Sequence, residues 1–194
     1  MNSNAQQSHA TNFLKWSQAR PIPDSDGFAG SCAGVSNSAL IVAGGSNFPG
    51  NKRPWENGIK IWYDKIFVLE SPEGAWTEAG KLPRPMAYGV ALTYKGGVLC
   101  LGGGDAKQNH NDVFILSYSS GKIKTTFLPS MPSPLINVCG VIINDVVYIM
   151  GHFLCSKQWR KVFLNTNGFR LYLLCHKAHN TFCFYQYHFL FHHR

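Results

Sequence analysis

Three times along the chain a four-residue apolar run ends on glycine, and twice it ends on a glycine pair. Leu40-Ile41-Val42-Ala43-Gly44-Gly45 recurs as Val98-Leu99-Cys100-Leu101-Gly102-Gly103, and a third copy runs Val147-Tyr148-Ile149-Met150-Gly151 before His152 takes the place of the second glycine. Gly102 and Gly151 lie 49 residues apart, and Leu82-Pro83-Arg84-Pro85 returns as Met131-Pro132-Ser133-Pro134 at the same offset. Gly44 and Gly102 lie 58 apart, and the landmarks on either side assign the nine extra residues to the stretch between Ser46 and Tyr63. A period near fifty, built on strand-like runs and turn glycines, constrains the chain to stacked β units, the blades of a propeller.

The pattern inside each unit is that of a four-stranded antiparallel meander of kelch type. In the first blade strands are expected at 31–36, 39–43, 65–70 and 75–78, and in the second at 90–94, 98–101, 112–118 and 124–128. Ser36-Asn37-Ser38, Lys95-Gly96-Gly97 and Asn144-Asp145 carry the turn chemistry that joins first to second strands. Trp16 precedes Pro23 by seven residues, as Trp76 precedes Pro83, so 13–18 reads as the outer strand of a blade completed from elsewhere. The expected fold is therefore all-β: one borrowed outer strand, two full blades and half of a third over 13–151. Repeats bury their faces only against neighbours, and this count does not make a closed ring.

The flanks differ from the blades. Residues 1–12 are polar, with no apolar core of a signal peptide, and read as a disordered leader. Residues 152–194 hold six basic and no acidic residues, six of the eight His and seven of the thirteen Phe, with one Gly and no Pro. A blade cannot be built without turn residues, so this tail falls outside the propeller design, and a change of reading frame or a misjoined gene end at Gly151-His152 is the favoured explanation. The alternatives are a basic aromatic element for a membrane surface or nucleic acid, and a metal site from Cys175, His176, His179 and Cys183, whose spacing matches no standard zinc pattern. No run is long enough to span a membrane as a helix. Cys32 and Cys139 take equivalent places in two inner strands and act as small apolar fillers, so no disulfide framework is expected.

In a meander the turns after the second strand share one face with the linkers between blades. That rim gathers the insertion from Ser46 to Glu56, the loop from Gly104 to Asn111, and the linker residues Phe28, Arg84, Tyr88 and Asn137. A long loop on a rigid scaffold is where binding is expected. The ligand-contact candidates are Asn47, Phe48, Arg53, Trp55, Arg84, Tyr88 and Asp105. Phe48 and Trp55 serve equally well as caps of the loop against its blade, whereas Lys52 and Arg53 read first as solvated surface charges and only second as anion ligands. Arg84, stiffened by flanking prolines, suits bidentate carboxylate binding. His110 lies among polar neighbours and reads as loop surface. Trp16 and Trp76 read as packers between blades.

The stretch from Asp26 to Asn37, with Leu40 to Phe48, Trp62-Tyr63-Asp64 and Ala87-Tyr88-Gly89-Val90, resembles the N-acetylneuraminate epimerase (sialic acid mutarotase) family, in its cyclically permuted branch. The resemblance covers about 13–151. It implies an isomerase that interconverts the α and β anomers of a sialic acid without cofactor or metal, by acid-base ring opening and reclosure, with Arg or Lys holding the sugar carboxylate. The acidic and arginine residues usually proposed as catalytic in that family lie in a blade with no match here, so no catalytic residue carries over, and Met86 stands where other members have Arg. The implied partner is a small anionic sugar, with no nucleic acid and no membrane. This segment alone is expected to be inactive and open to self-association through unpaired blade faces. The absent leader suggests the cytoplasm, the resemblance the periplasm. The runner-up is a non-catalytic kelch module that binds a protein or glycan through the same rim. A copper-propeller oxidase needs Tyr, Cys and His ligands, and 13–151 contains only His110.

Overall fold

The computed structural model describes residues 16–151 and three strands beyond them, at 164–166, 169–171 and 183–188. Blade 1 consists of β1 (Cys32–Ser36), β2 (Ala39–Ala43), β5 (Lys65–Leu69) and β6 (Thr77–Lys81), hydrogen-bonded in that order. Between β2 and β5 the insertion forms its own small hairpin, β3 (Ser46–Asn47) against β4 (Ile61–Trp62), with two short 3-10 turns at Pro49–Asn51 and Pro54–Glu56. Blade 2 is β7 (Val90–Tyr94), β8 (Gly97–Leu101), β9 (Val113–Ser119) and β10 (Lys122–Leu128). In the third sheet β11 (Cys139–Ile143) pairs with β12 (Val146–Gly151). All pairings are antiparallel, and the architecture is the expected all-β propeller segment.

Two details depart from the sequence expectation. The outer strand of blade 1 begins at Thr77, two residues after the expected start, and runs on to Lys81, with a bulge opposite Ile66 and Phe67. Gly80, at φ +154°, sits opposite Ile66 at that irregularity, where a residue without a side chain lets the ladder shift. The third sheet also gains a strand from the tail. After β13 (Leu164–Thr166) and β14 (Phe169–Leu171), which pair with each other, β15 (Cys183–His188) runs antiparallel to β12 from Val146↔His188 to Gly151↔Cys183. The aromatic run Phe184-Tyr185-Gln186-Tyr187 has the composition that pleated strands favour. Of the expected outer strand at 13–18, residues 13–15 lie outside the described residues. Trp16 to Gln18 are in no strand, and Trp16 is exposed.

The alternation of side chains along each central strand assigns them to two cores. On β8, Val98 and Cys100 point to blade 1 and join Ile41, Ile66, Phe114 and Leu116, whereas Leu99 and Leu101 point to the third sheet and join Val113, Leu135, Val147 and Ile149. Both faces of β8 are therefore buried, which explains why this strand is apolar without interruption. Truncating Ile41 or Leu116 to Ala, each fully buried, would cost about 2–5 kcal/mol. On the forward face of the third sheet, Cys139, Val141 and Ile143 are exposed, although their counterparts Val90, Leu92 and Tyr94 in blade 2 are packed.

The glycine pair does the same work in both blades. Gly44 donates to Lys65 O and Gly45 to Met86 O, at 2.9 and 2.8 Å; Gly102 donates to Asp112 O and Gly103 to Leu135 O, at 2.9 and 2.7 Å. Each pair thus turns the chain out of the second strand and ties it to the linker that leads into the next blade. All four glycines have positive φ, and a Cβ on Gly44 or Gly102 would collide with the carbonyl oxygen of Met86 or Leu135. A second hydrogen-bonded series joins the linkers. Gly30, Tyr88 and Asn137 occupy equivalent positions and share left-handed backbones, with φ of +68°, +62° and +55°. Tyr88 N donates to Gly30 O at 2.7 Å, and Asn137 N donates to Tyr88 O at 3.0 Å.

Candidate functional site

The β3–β4 hairpin folds the insertion back over the first linker and walls an open cavity of about 640 Å³. That size lies within the roughly 300–1,000 Å³ of small-molecule sites. Its floor is set by Phe28, whose ring meets Tyr63 edge-on at 5.1 Å and stacks near Phe67 at 5.8 Å. Asn47 fixes the hairpin to this floor: its amide donates to Gly27 O at 2.8 Å, and its carbonyl oxygen accepts from the Tyr63 hydroxyl at 2.8 Å. Ala29 and Ser46 exchange backbone hydrogen bonds at 2.8 and 2.9 Å, which closes the base of the cavity.

Lys52, Arg53 and Lys60 line the cavity, against Asp26 as the one carboxylate on its wall among the described residues. The Asp26 carboxylate accepts the Gly50 N–H at 3.2 Å, which holds the insertion down. The excess of cations over a partly apolar floor makes a site for an anion with an uncharged body, because low-dielectric walls concentrate the field of the charges. Lys60 stands apart from the other two cations. Its Nζ donates to the Tyr88 hydroxyl at 2.6 Å and lies over the rings of Tyr88 and Trp62, at 4.3 and 5.2 Å. Ser46 Oγ donates to the same Tyr88 hydroxyl at 2.9 Å. Burial acts to raise the Tyr88 phenol, but the hydrogen bonds from Lys60 and Ser46 and the Lys60 charge outweigh it, and the group sits below its ordinary 10.0.

The structure brings four of the sequence candidates together here: Asn47, Phe48, Arg53 and Tyr88. The other three are elsewhere. Trp55 is 74% exposed at the tip of the insertion, with the Arg53 guanidinium 5.4 Å from its ring. Arg84 reaches across to blade 2, where its Nη2 lies 3.2 Å from Asp112 Oδ2. Asp105 belongs to the second rim loop. Its Oδ1 accepts the N–H groups of Lys107 and Gln108 at 2.7 and 3.0 Å, and its Oδ2 lies 3.2 Å from His110 Nε2. Those backbone donors, that of Lys107 most, with His110, hold the Asp105 carboxyl below its usual 3.8 against the opposing effect of burial. His110, expected on the loop surface, is buried, because the short loop folds it inward: its N–H bonds Gly103 O, and its carbonyl accepts from Leu135 N.

Lys60 was not among the sequence candidates, and Ser46 entered only as the first residue of the rim insertion. Ser46 follows the glycine pair directly, and Lys60 lies beyond the loop segment that spacing suggested. The only sequence signal for Lys60 was the length of the insertion, long enough to return to the linker.

The N-acetylneuraminate epimerase family model matches residues 2–125. Curated relatives named N-acetylneuraminate epimerase include one from Escherichia coli O139:H28 (strain E24377A / ETEC), 36% identical over 112 residues, covering 54% of this chain and 30% of the relative. The Escherichia coli K12 protein of the same name is 36% identical over 98 residues, covering 47% of this chain and 27% of the relative. Among solved structures, one titled "Structure of YjhT" superposes with a TM-score of 0.53 at 29% identity, over 60% of this chain and 36% of that one. The chain thus spans about a third of the length of the proteins it matches.

Proposed function

The chain belongs to the N-acetylneuraminate epimerase family, and on that premise we propose that its cavity holds the carboxylate and ring of a sialic acid for anomer interconversion. The observation that carries this reading is the convergence of Lys52, Arg53 and Lys60 on one cavity beside the Phe28 floor. Lys52 and Arg53 suit the sugar carboxylate, since a guanidinium offers paired donors and an ammonium a mobile one. The reaction requires no redox change and no group transfer to a second substrate. A base takes the proton of the anomeric hydroxyl, the ring C–O bond opens to a ketone, and reclosure on the other face gives the second anomer.

Saturation-transfer NMR on the 194-residue chain tests the binding step. N-acetylneuraminate is expected to bind, and the neutral sugar N-acetylmannosamine is not. Affinity for the acid should fall with salt and drop at least tenfold in the double variant Lys52→Met/Arg53→Met. Equal binding of acid and neutral sugar would overturn the anion site. A second reading, a non-catalytic module that binds a glycan or protein, draws on the exposure of Trp55 and Ile59 at the tip of the insertion. Anomer-exchange NMR on a chain extended to the full number of blades separates the two, because a binding module leaves the exchange rate of the free sugar unchanged.

A further inference from the structure

Each blade has a front, the face towards the next blade along the chain, and a rear. The rear of blade 2 covers the front of blade 1: Val35 N donates to Thr93 Oγ1 at 2.9 Å, and a Cβ on Gly34 would meet Val98 at 2.9 Å. The rear of the third sheet covers the front of blade 2 likewise, with Gly140 set against Val90 and Leu92. Strand register makes the covering residues equivalent. Thr93 pairs with Val98 and Ala91 with Cys100 in blade 2, as Ile142 pairs with Val147 and Gly140 with Ile149 in the third sheet. Blade 1 carries the same pairs, Val35 with Leu40 and Ala33 with Val42, but Ala33 and Val35 are exposed and Leu40 and Val42 only half-buried. The outer part of that rear face is already closed, since Phe67 is buried beside Phe28, so what is open is the two inner strands. At the other end the front of the third sheet is open as well: Val141 is 41% and Ile143 52% exposed, where Val90 and Tyr94 of blade 2 are 4% and 8%.

The linker ladder is open at the same two ends. Tyr88 N donates to Gly30 O and Asn137 N to Tyr88 O, which leaves the Gly30 N–H and the Asn137 carbonyl without a hydrogen-bond partner among the described residues. We propose that the front of the third sheet docks head to tail on the rear of blade 1 of a second copy. Val141 and Ile143 of one copy then cover Val35 and Leu40 of the other, and the Gly30 N–H of the second copy donates to the Asn137 carbonyl of the first. The occupant is a second copy because blade 1 presents the residue pairs that cover a front face twice within the chain. The direction follows from the ladder. Two fronts would set carbonyl against carbonyl and two rears N–H against N–H, and only the mixed contact makes a bond. Burial of the apolar side chains on both faces drives it. The contact is heterologous, so it leaves one front and one rear open, and association continues past a pair unless the rotation closes a ring. This inference does not depend on what the cavity binds.

Sedimentation velocity on the 194-residue chain provides the test. The sedimentation coefficient should rise with protein concentration. Ile143→Lys on the front and Val35→Lys on the rear should each weaken association at least about tenfold, because each sets a charge against an apolar face. Both positions are exposed, so each variant should melt close to wild type. Mixed in equal amounts, the two variants should form a pair and stop there, since each keeps the face that the other has lost. Cys139, exposed on the front face, reports on the wild type directly. Its alkylation by a maleimide, followed at its own peptide by mass spectrometry, should slow as the protein is concentrated. A wild type that stays monomeric overturns the proposal, as does one that associates with no slowing at Cys139. Undiminished association of Val35→Lys alone would mean a front-to-front contact, and of Ile143→Lys alone a rear-to-rear one; either overturns the head-to-tail direction. So does a mixture of two folded variants that remains monomeric.

Discussion

Blades 1 and 2 each send a loop outward from a glycine pair, and the two loops have taken opposite courses. The first is long, folds back as the β3–β4 hairpin, and leaves a cavity with three cations on its wall. The second is short and closes on itself: Gly104 bridges to Ala87 and Asn109, Asp105 caps its own turn, and His110 fills the space beneath. The bonds at their roots are the same in kind, since Ala29↔Ser46 in one blade corresponds to Ala87↔Gly104 in the other. The scaffold therefore fixes where a loop leaves the sheet, and loop length decides whether the space above it becomes a site or is filled by the loop itself.

The equivalence of the two roots can be broken most severely at the glycines. Gly44→Val and Gly102→Val each force a branched side chain into a left-handed turn and against a carbonyl oxygen. Each should lower stability by about 3 kcal/mol or more, read as matching shifts in urea midpoint; tolerance of one but not the other would end the equivalence. The difference between the loops is sharpened by Asn47→Ala, which removes the hydrogen bonds to Gly27 and Tyr63. About 2 kcal/mol of destabilisation is expected, with loss of N-acetylneuraminate binding in a titration. Asp105→Asn, on the second loop, should leave that binding intact.

Asp105 also supplies a pH signature confined to blade 2. Its carboxyl is held below 3.8 in the folded state, so its contribution is complete above that pH and is lost as pH falls through the depressed folded value. Wild type should accordingly lose stability more steeply than Asp105→Asn below about pH 4, measured by thermal denaturation across pH 2–5. The smallest effect is expected at Arg84→Ala. Its ion pair with Asp112 is half exposed and worth at most about 1 kcal/mol, and the sugar affinity should stay within twofold, since Arg84 does not line the cavity.

Most of the blade architecture was legible because period-two burial and turn glycines are local signals. The strands from Ala39 to Ala43 and from Val90 to Tyr94 occur within the bounds that the sequence pattern suggests. The outer strand of blade 1 was misplaced by two residues because the bulge at Ile66 and Phe67 depends on its partner strand, not on its own composition. The candidate site was legible only in part. Tyr88 and Asn47 sit beside turns that the repeat locates, but Arg84 looked free until blade 2 brought Asp112 to it. Lys60 has no motif at all: it meets Tyr88, 28 residues away, only because Ser46 pairs with Trp62 and folds the insertion over the linker. Contacts of that kind are properties of the hairpin's closure and cannot be read from spacing.

The series Gly30, Tyr88, Asn137 has a polarity. In both steps the later linker gives its N–H and the earlier one its carbonyl, so successive blades are joined by a bond of the same direction. Tyr88 is both a rung of that ladder and a wall of the cavity. Because one residue serves both, the docking of the two linkers and the position of the phenol beside Lys60 are set together.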